Sequence, residues 1–142
     1  MTKNEKVKRL TKYEYFMALA EMTAKRGTCD RALVGAIIIK NNRIIATGYN
    51  GSPEGTPHCD EVGHLIKNNH CVRTVHAEQN AIIQAAKMGI SIDGANIYIT
   101  HKPCHHCCKM LINAGIKKVY YRNDYDDGIN NIYEDKLEFI KI

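Results

Sequence analysis

The stretch HAEQNAIIQAAKMGISIDGANIYITHKPCHHCCKMLINAGIKKVYY, residues 76–121, decides the fold. Its opening, HAEQNAIIQAAKMG, is rich in Ala and reads as a helix, apolar nearly all round and therefore expected to be buried. ANIYIT reads as a strand, CHHCCKMLINAG as a second helix closed by Gly115, and KKVYY as a second strand. Helix alternating with strand is the pattern of a layered α/β domain.

The flanks extend this pattern. LVGAIIIK (33–40) and RIIATGYN (43–50) read as strands joined by Asn41-Asn42, and Asn tolerates the positive φ that a tight hairpin needs. Before them, Thr11 and Glu14 have the spacing of a capping box. The helix they open is expected to run to about Arg26, with Tyr15, Phe16, Leu19, Met22 and Thr23 on its packed face. Downstream, INNIYED suggests a short helix and LEFIKI a last strand. The sum is a three-layer α/β arrangement, with a mixed sheet of about five strands flanked by helices. GSPEGTPHCDEVGHLIKNNH (51–70) is a long polar excursion, which an ordered domain keeps only if something ties it down or it has a function.

With 142 residues, 44% hydrophobic and 25% charged, the chain suits one globular domain spanning 1–142. Residues 1–10, with Lys3, Lys6, Lys8 and Arg9, are expected to be a flexible basic tail. A net charge of +5 is mild, and nucleic acid is not an expected partner. No apolar run approaches the ~18 residues of a membrane span, and the polar start is no secretory signal, so the expected setting is cytoplasmic. Six cysteines in that setting point to metal binding or reactive thiols rather than disulfides.

Two segments carry the chemistry: VHAEQ (75–79) and PCHHC (103–107), each at the start of an expected helix. Cys104 and Cys107 are three apart and share a face of a first turn, where free N–H groups favour thiolates. His76 supplies a third donor. Three N and S donors leave one tetrahedral position open, as in a catalytic zinc site. Glu78 is then free to shuttle protons. His105 and His106 are expected to turn away from this face, and Cys108 to belong to the core.

H-x-E followed by P-C-x-x-C is the signature of the zinc nucleobase deaminases. GTCDRALVGA (27–36), GYNGSPEG (48–55), HCVRTVHAEQNAIIQAAK (70–87) and YITHKPCHHCCKMLINAGIKKVYY (98–121) resemble bacterial and phage deoxycytidylate deaminases, with the competence-operon deaminases of Gram-positive bacteria on the same branch. The resemblance runs from about Tyr15 to Tyr125, and the tail after Asp126 matches less well. It implies a cytidine deaminase-like α-β-α fold and hydrolysis of dCMP to dUMP and ammonia, feeding thymidylate synthesis. It also implies substrate contacts from Asn50, Thr74, the Ala77 backbone N–H, Arg31 as 5′-phosphate anchor, and Tyr125. Activation by dCTP with Mg2+ and inhibition by dTTP are implied as well, with Asn50, Gly51 and Ser52 in the effector pocket of a homohexamer.

A second set of metal-type residues spans the long excursion. In the same relatives its positions match Cys29, Cys59, His64 and Cys71, which would fill a structural zinc shell and order the loop. His70 is the alternative to His64. The competing enzyme reading is a tRNA adenosine or other nucleobase deaminase, which shares both motifs. A zinc-stabilised binding module is the non-enzymatic reading, and it has no use for Glu78.

Overall fold

The computed structural model describes residues 6–142; of the expected tail, residues 1–5 lie outside the described residues. The elements run α1 (Lys12–Ala24), β1 (Gly35–Lys40), β2 (Arg43–Tyr49), α2 (Cys59–Val62), β3 (Ile66–Lys67) and β4 (His70–Cys71). After these come α3 (Ala77–Met88), β5 (Asn96–His101), α4 (His105–Asn113), β6 (Lys118–Asn123), a 3-10 turn (Asn130–Tyr133) and β7 (Glu138–Lys141). Five strands form one sheet in the order β2-β1-β5-β6-β7. β1 is antiparallel to β2 and β5, whereas β5, β6 and β7 are parallel. The expected mixed five-stranded α/β sheet is therefore present. Among the described residues, no helix is long and apolar enough to cross a membrane.

The layers follow from the two-residue side-chain period of β1, buried on both faces. Ala36 and Ile38 pack with α3 and α4 residues such as Ala81, Ala85, Cys108 and Leu111. Ile37 and Ile39 pack on the other side with Phe16, Met17, Ala20, Tyr98 and Tyr120. The Asn41-Asn42 turn has φ of 53° and 58°, as a tight hairpin requires.

Two faces differ from expectation. The buried residues of α1 are Phe16, Met17, Ala20 and Ala24, while Met22 is 61% and Tyr15 47% exposed. The helix presents its small residues because it lies against the strand backbone: a Cβ on Gly35 would strike the Ala20 carbonyl and the Ala24 amide. Likewise α3 is not buried all round. It seats Ala77, Glu78, Ala81 and Ala85 and leaves Ile83 54% exposed. Here a Cβ on Gly48 would strike the Ala77 carbonyl and the Ala81 amide. The start of α3 is thereby pressed against β2, which sets the depth of Glu78.

Nor is the long excursion featureless. α2 and the β3–β4 hairpin occupy it, and Asn68-Asn69 repeats the positive-φ turn at 51° and 63°. That second Asn-Asn pair carries the same signal as the first but lacks long apolar flanks.

Candidate metal centre and active site

The two motifs meet where the starts of α3 and α4 converge. His76 is the N-cap residue of α3 and Cys104 that of α4. His76 Nδ1 lies 3.3 Å from Cys107 Sγ and 3.6 Å from Cys104 Sγ. Zinc bonds of about 2.3 Å to sulfur and 2.0–2.1 Å to nitrogen give tetrahedral edges of about 3.5–3.8 Å. The three donors are thus spaced to fit one such ion. Cys107 is buried, Cys104 partly exposed and His76 exposed, so the group is open on one side.

The protonation balance of these donors suits a cation. A hydrogen bond from Cys107 and another from His76, acting against burial, hold the Cys104 thiol down at about 4. Cys107 is pushed far up by its hydrogen bond with Cys104 and by burial. The His76 imidazolium is favoured by Cys104. Two sulfurs held this close cannot both ionise unless a cation lies between them. Glu78 is buried at 4% exposure, and burial raises its pKa against the opposing pull of Cys107 and His76. A carboxyl whose pKa burial raises, beside a candidate metal, is suited to proton transfer.

A second group gathers beneath the 51–70 excursion. The donor atoms of Cys29, Cys59, His64 and Cys71 lie within 4.8 Å of one another. Cys29 Sγ is 3.4 Å from His64 Nδ1, and Cys59 Sγ is 3.6 Å from Cys71 Sγ, with all six cysteines of the chain free. Burial, then the neighbouring sulfurs, pushes Cys59 up to about 12. Burial also acts upward on Cys71, but backbone N–H groups of Arg73 and Leu65 and the His64 ring outweigh it and bring it to about 6. His64, not His70, joins this group, and its Nε2 lies 3.0 Å from Asp30 Oδ1. A carboxylate on the far nitrogen leaves Nδ1 free to face a metal. Four N and S donors fill a closed tetrahedral shell, the pattern of a structural zinc.

The other expected residues differ in how they are engaged. Ala77 is the first residue of α3, where backbone N–H groups have no helical partner. Gly51 and Val75 exchange backbone hydrogen bonds of 3.2 and 2.8 Å, joining the GYNG loop to the residue before His76. Ser52 N–H donates to Thr28 Oγ1 at 3.1 Å, and Ser52 Oγ is buried without a partner. The Asn50 side chain is occupied: its Oδ1 accepts from Val34 N–H at 2.8 Å, and its Nδ2 donates to the Cys29 and Ala32 carbonyls. It therefore shapes the 29–34 loop. Arg31 is exposed and donates to the Asn69 carbonyl at 3.1 Å. Thr74 is half-buried, and Tyr125 is half-exposed, its phenol raised by burial and then by Cys104.

His105 turns away from the cluster as expected, but toward Asp127. It is partly buried and pairs through Nδ1 with Asp127 Oδ2 at 2.7 Å, while Cys108 is fully buried in the core. Sequence reasoning missed Asp30, Gln79 and Asp127. Gln79 has a local signal, since its Oε1 accepts from His76 N–H at 3.1 Å across the three-residue spacing of a capping box. Asp30 adjoins Cys29, but only the fold brings it to His64.

A family model described as the cytidine and deoxycytidylate deaminase zinc-binding region matches residues 10–123. The chain belongs to the cytidine and deoxycytidylate deaminase family. Within this family it is 52% identical to ComE operon protein 2 of Bacillus subtilis (strain 168) over 119 residues, 84% of this chain and 63% of that protein. The chain thus spans less than two thirds of the Bacillus protein. It is 35% identical to the deoxycytidylate deaminase of Enterobacteria phage T2, with coverage of 78% of this chain and 79% of the phage protein. Among solved structures, the dCMP deaminase from the cyanophage S-TIM5, in complex with dCMP and dUMP, is similar with a TM-score of 0.79 and 40% identity. That likeness covers 91% of this chain and 95% of the cyanophage chain.

Proposed function

We propose that this chain is a zinc-dependent deaminase that hydrolyses dCMP to dUMP and ammonia, supplying dUMP for thymidylate synthesis. The observation that carries the reading is the buried Glu78 beside an open cluster of three N and S donors. His76, Cys104 and Cys107 would hold the zinc, which when bound acidifies a water and stabilises developing charge. Glu78 accepts one proton from the attacking water and passes it to N3, then accepts the second from the hydroxyl formed at C4 and passes it to the leaving amine. The upward shift of its buried carboxyl suits it to doing both.

The Ala77 N–H binds the pyrimidine carbonyl, Thr74 and Tyr125 line the nucleotide, and Arg31 takes the 5′-phosphate by exchanging its carbonyl partner for a bidentate one. Asn50 serves the same pocket through the loop that carries Arg31, with direct contact to the nucleotide limited to the remaining lone pair of its Oδ1. The second group, Cys29, Cys59, His64 and Cys71, holds a structural zinc. Similarity to a structure containing both dCMP and dUMP supports the choice of substrate.

Regulation by dCTP with Mg2+ and by dTTP, in a cytoplasmic homohexamer, belongs to the same reading. The Gly51–Val75 bridge supports it, since an effector on Asn50, Gly51 and Ser52 would bear directly on the segment that carries His76. The test is a substrate panel of dCMP, dCTP, deoxycytidine and tRNA, with and without dCTP and dTTP, together with zinc analysis. Ammonia release from dCMP with two zincs per chain is expected. Activity confined to nucleoside or RNA would reject the Arg31 role, and one zinc per chain would reject the second site.

A further inference from the structure

We propose that Asp127 and Asn130 are positioning residues that clamp the metal-donor turn of α4 and Tyr125 into one working arrangement. The proposal rests on the reading of His76, Cys104 and Cys107 as the catalytic zinc cluster. Both residues lie beyond the 10–123 region that the family model matches.

An ordinary helix start places Ser, Thr, Asp or Asn at the N-cap, where the side chain satisfies a free N–H. Here Cys104 holds that position and makes no capping hydrogen bond, its sulfur being turned to His76. An acceptor for the first free N–H of α4 arrives instead from the segment after β6. Asp127 Oδ2 accepts from the His105 backbone N–H and from His105 Nδ1, both at 2.7 Å. Its other oxygen accepts from the Ile129 and Asn130 N–H groups at 3.0 and 2.7 Å. One carboxylate thus ties the first N–H of α4 to the turn that follows it in space.

Asn130 completes the clamp. It is 1% exposed, and its Nδ2 donates to the Pro103 carbonyl at 3.0 Å and the Tyr125 carbonyl at 2.8 Å. Pro103 directly precedes Cys104. The same amide therefore holds the backbone on one side of the cluster and the aromatic residue proposed to cover the substrate. A buried amide that spans two carbonyls in different segments fixes their separation, because losing it strands the Tyr125 carbonyl and leaves that of Pro103 only the weak Cys108 thiol donor at 3.7 Å.

The test uses the full-length, zinc-loaded protein with Asp127→Asn and Asn130→Ala. Met17→Ala is the stability-matched control, since Met17 is buried on the opposite face of the sheet. Zinc release to a chromogenic chelator is timed, following the phase that Cys104→Ser lacks, and melting temperature, kcat and KM for dCMP are recorded. Both clamp variants are expected to release this zinc about 10–100-fold faster than wild type, the usual cost of losing an outer-shell partner, with a fall in kcat. Met17→Ala at a similar melting temperature is expected to release it at the wild-type rate.

Release from the clamp variants no faster than from Met17→Ala overturns the proposal. If Asp127→Asn does not fold, His105→Ala removes one of the four bonds to that carboxylate and must still accelerate release. Unchanged release in His105→Ala overturns the proposal equally. A wild-type chain that binds no zinc or does not deaminate dCMP overturns the functional reading itself, and the clamp with it.

Discussion

The two helix starts that carry the candidate donors meet one difficulty in two ways. In each, the N-cap position is held by a metal donor, His76 in α3 and Cys104 in α4. α3 repairs itself locally, because Gln79 accepts the His76 N–H three residues on. α4 is repaired from a distance of 22 residues, through Asp127. The start of α3 is therefore complete once its own helix forms, whereas that of α4 is complete only when the segment after β6 has docked. A binding turn can borrow its rigidity from far along the chain, which frees its own residues for chemistry.

The largest expected effect separates chemistry from both helix starts. Glu78→Gln removes the proton shuttle and leaves the donors untouched. Ammonia release from dCMP should fall by about 10²–10⁴-fold while zinc content stays at the wild-type level. Retained turnover would sink the proposed mechanism.

Gly48→Ala attacks the seat of α3 instead. The added methyl must displace the Ala77–Ala81 backbone, and overpacking of this kind costs about 1–3 kcal/mol, readable in urea melts. Since Glu78 lies within that turn, turnover should fall by more than stability alone explains. Unchanged stability would mean that the helix start is not pressed on β2.

The remote cap is distinguished by pH. Burial acts upward on Asp127, but hydrogen bonds from the His105 backbone and ring and from Ile129 and Asn130 outweigh it and hold the carboxyl well below the usual range. Its folded value is lower than its unfolded one, so its contribution to stability is whole above about pH 4 and is lost as pH falls through the folded value. The melting-temperature gap between wild type and Asp127→Asn should therefore be constant near neutrality and close below about pH 4. A gap that persisted in acid would show that the carboxylate charge is not what caps α4.

The smallest effect is expected at the local cap. Gln79→Ala should cost about 0.3–1.5 kcal/mol, with little change in zinc release. If it loosened zinc as much as Asp127→Asn, the contrast between local and remote repair would fail.

The gathering of the candidate donors was legible because its grammar is short. His76, Glu78, Cys104 and Cys107 lie within one turn of a helix start, and Gln79 could have been read from capping-box spacing. The five-stranded sheet followed from alternation of apolar segments. Less legible was α1, whose face is rotated toward Ala20 and Ala24 because Gly35 lets the strand backbone approach. The β3–β4 hairpin was missed because its strands are two residues each, too short for a period to register. Asn50 is a further case. The family resemblance implies a nucleotide contact for it, and only the fold shows that its amide also bonds across the 29–34 loop.

By itself the sequence determined which residues can bind zinc or carry protons, where helices begin, and the order of helix and strand. These depend on side-chain chemistry and on contacts within three or four residues. Only the tertiary structure decided that His64 rather than His70 joins the second group, and that His105 is held by Asp127. It also decided how deep Glu78 sits. Such contacts depend on the path of the chain between distant segments, and no local periodicity encodes that path.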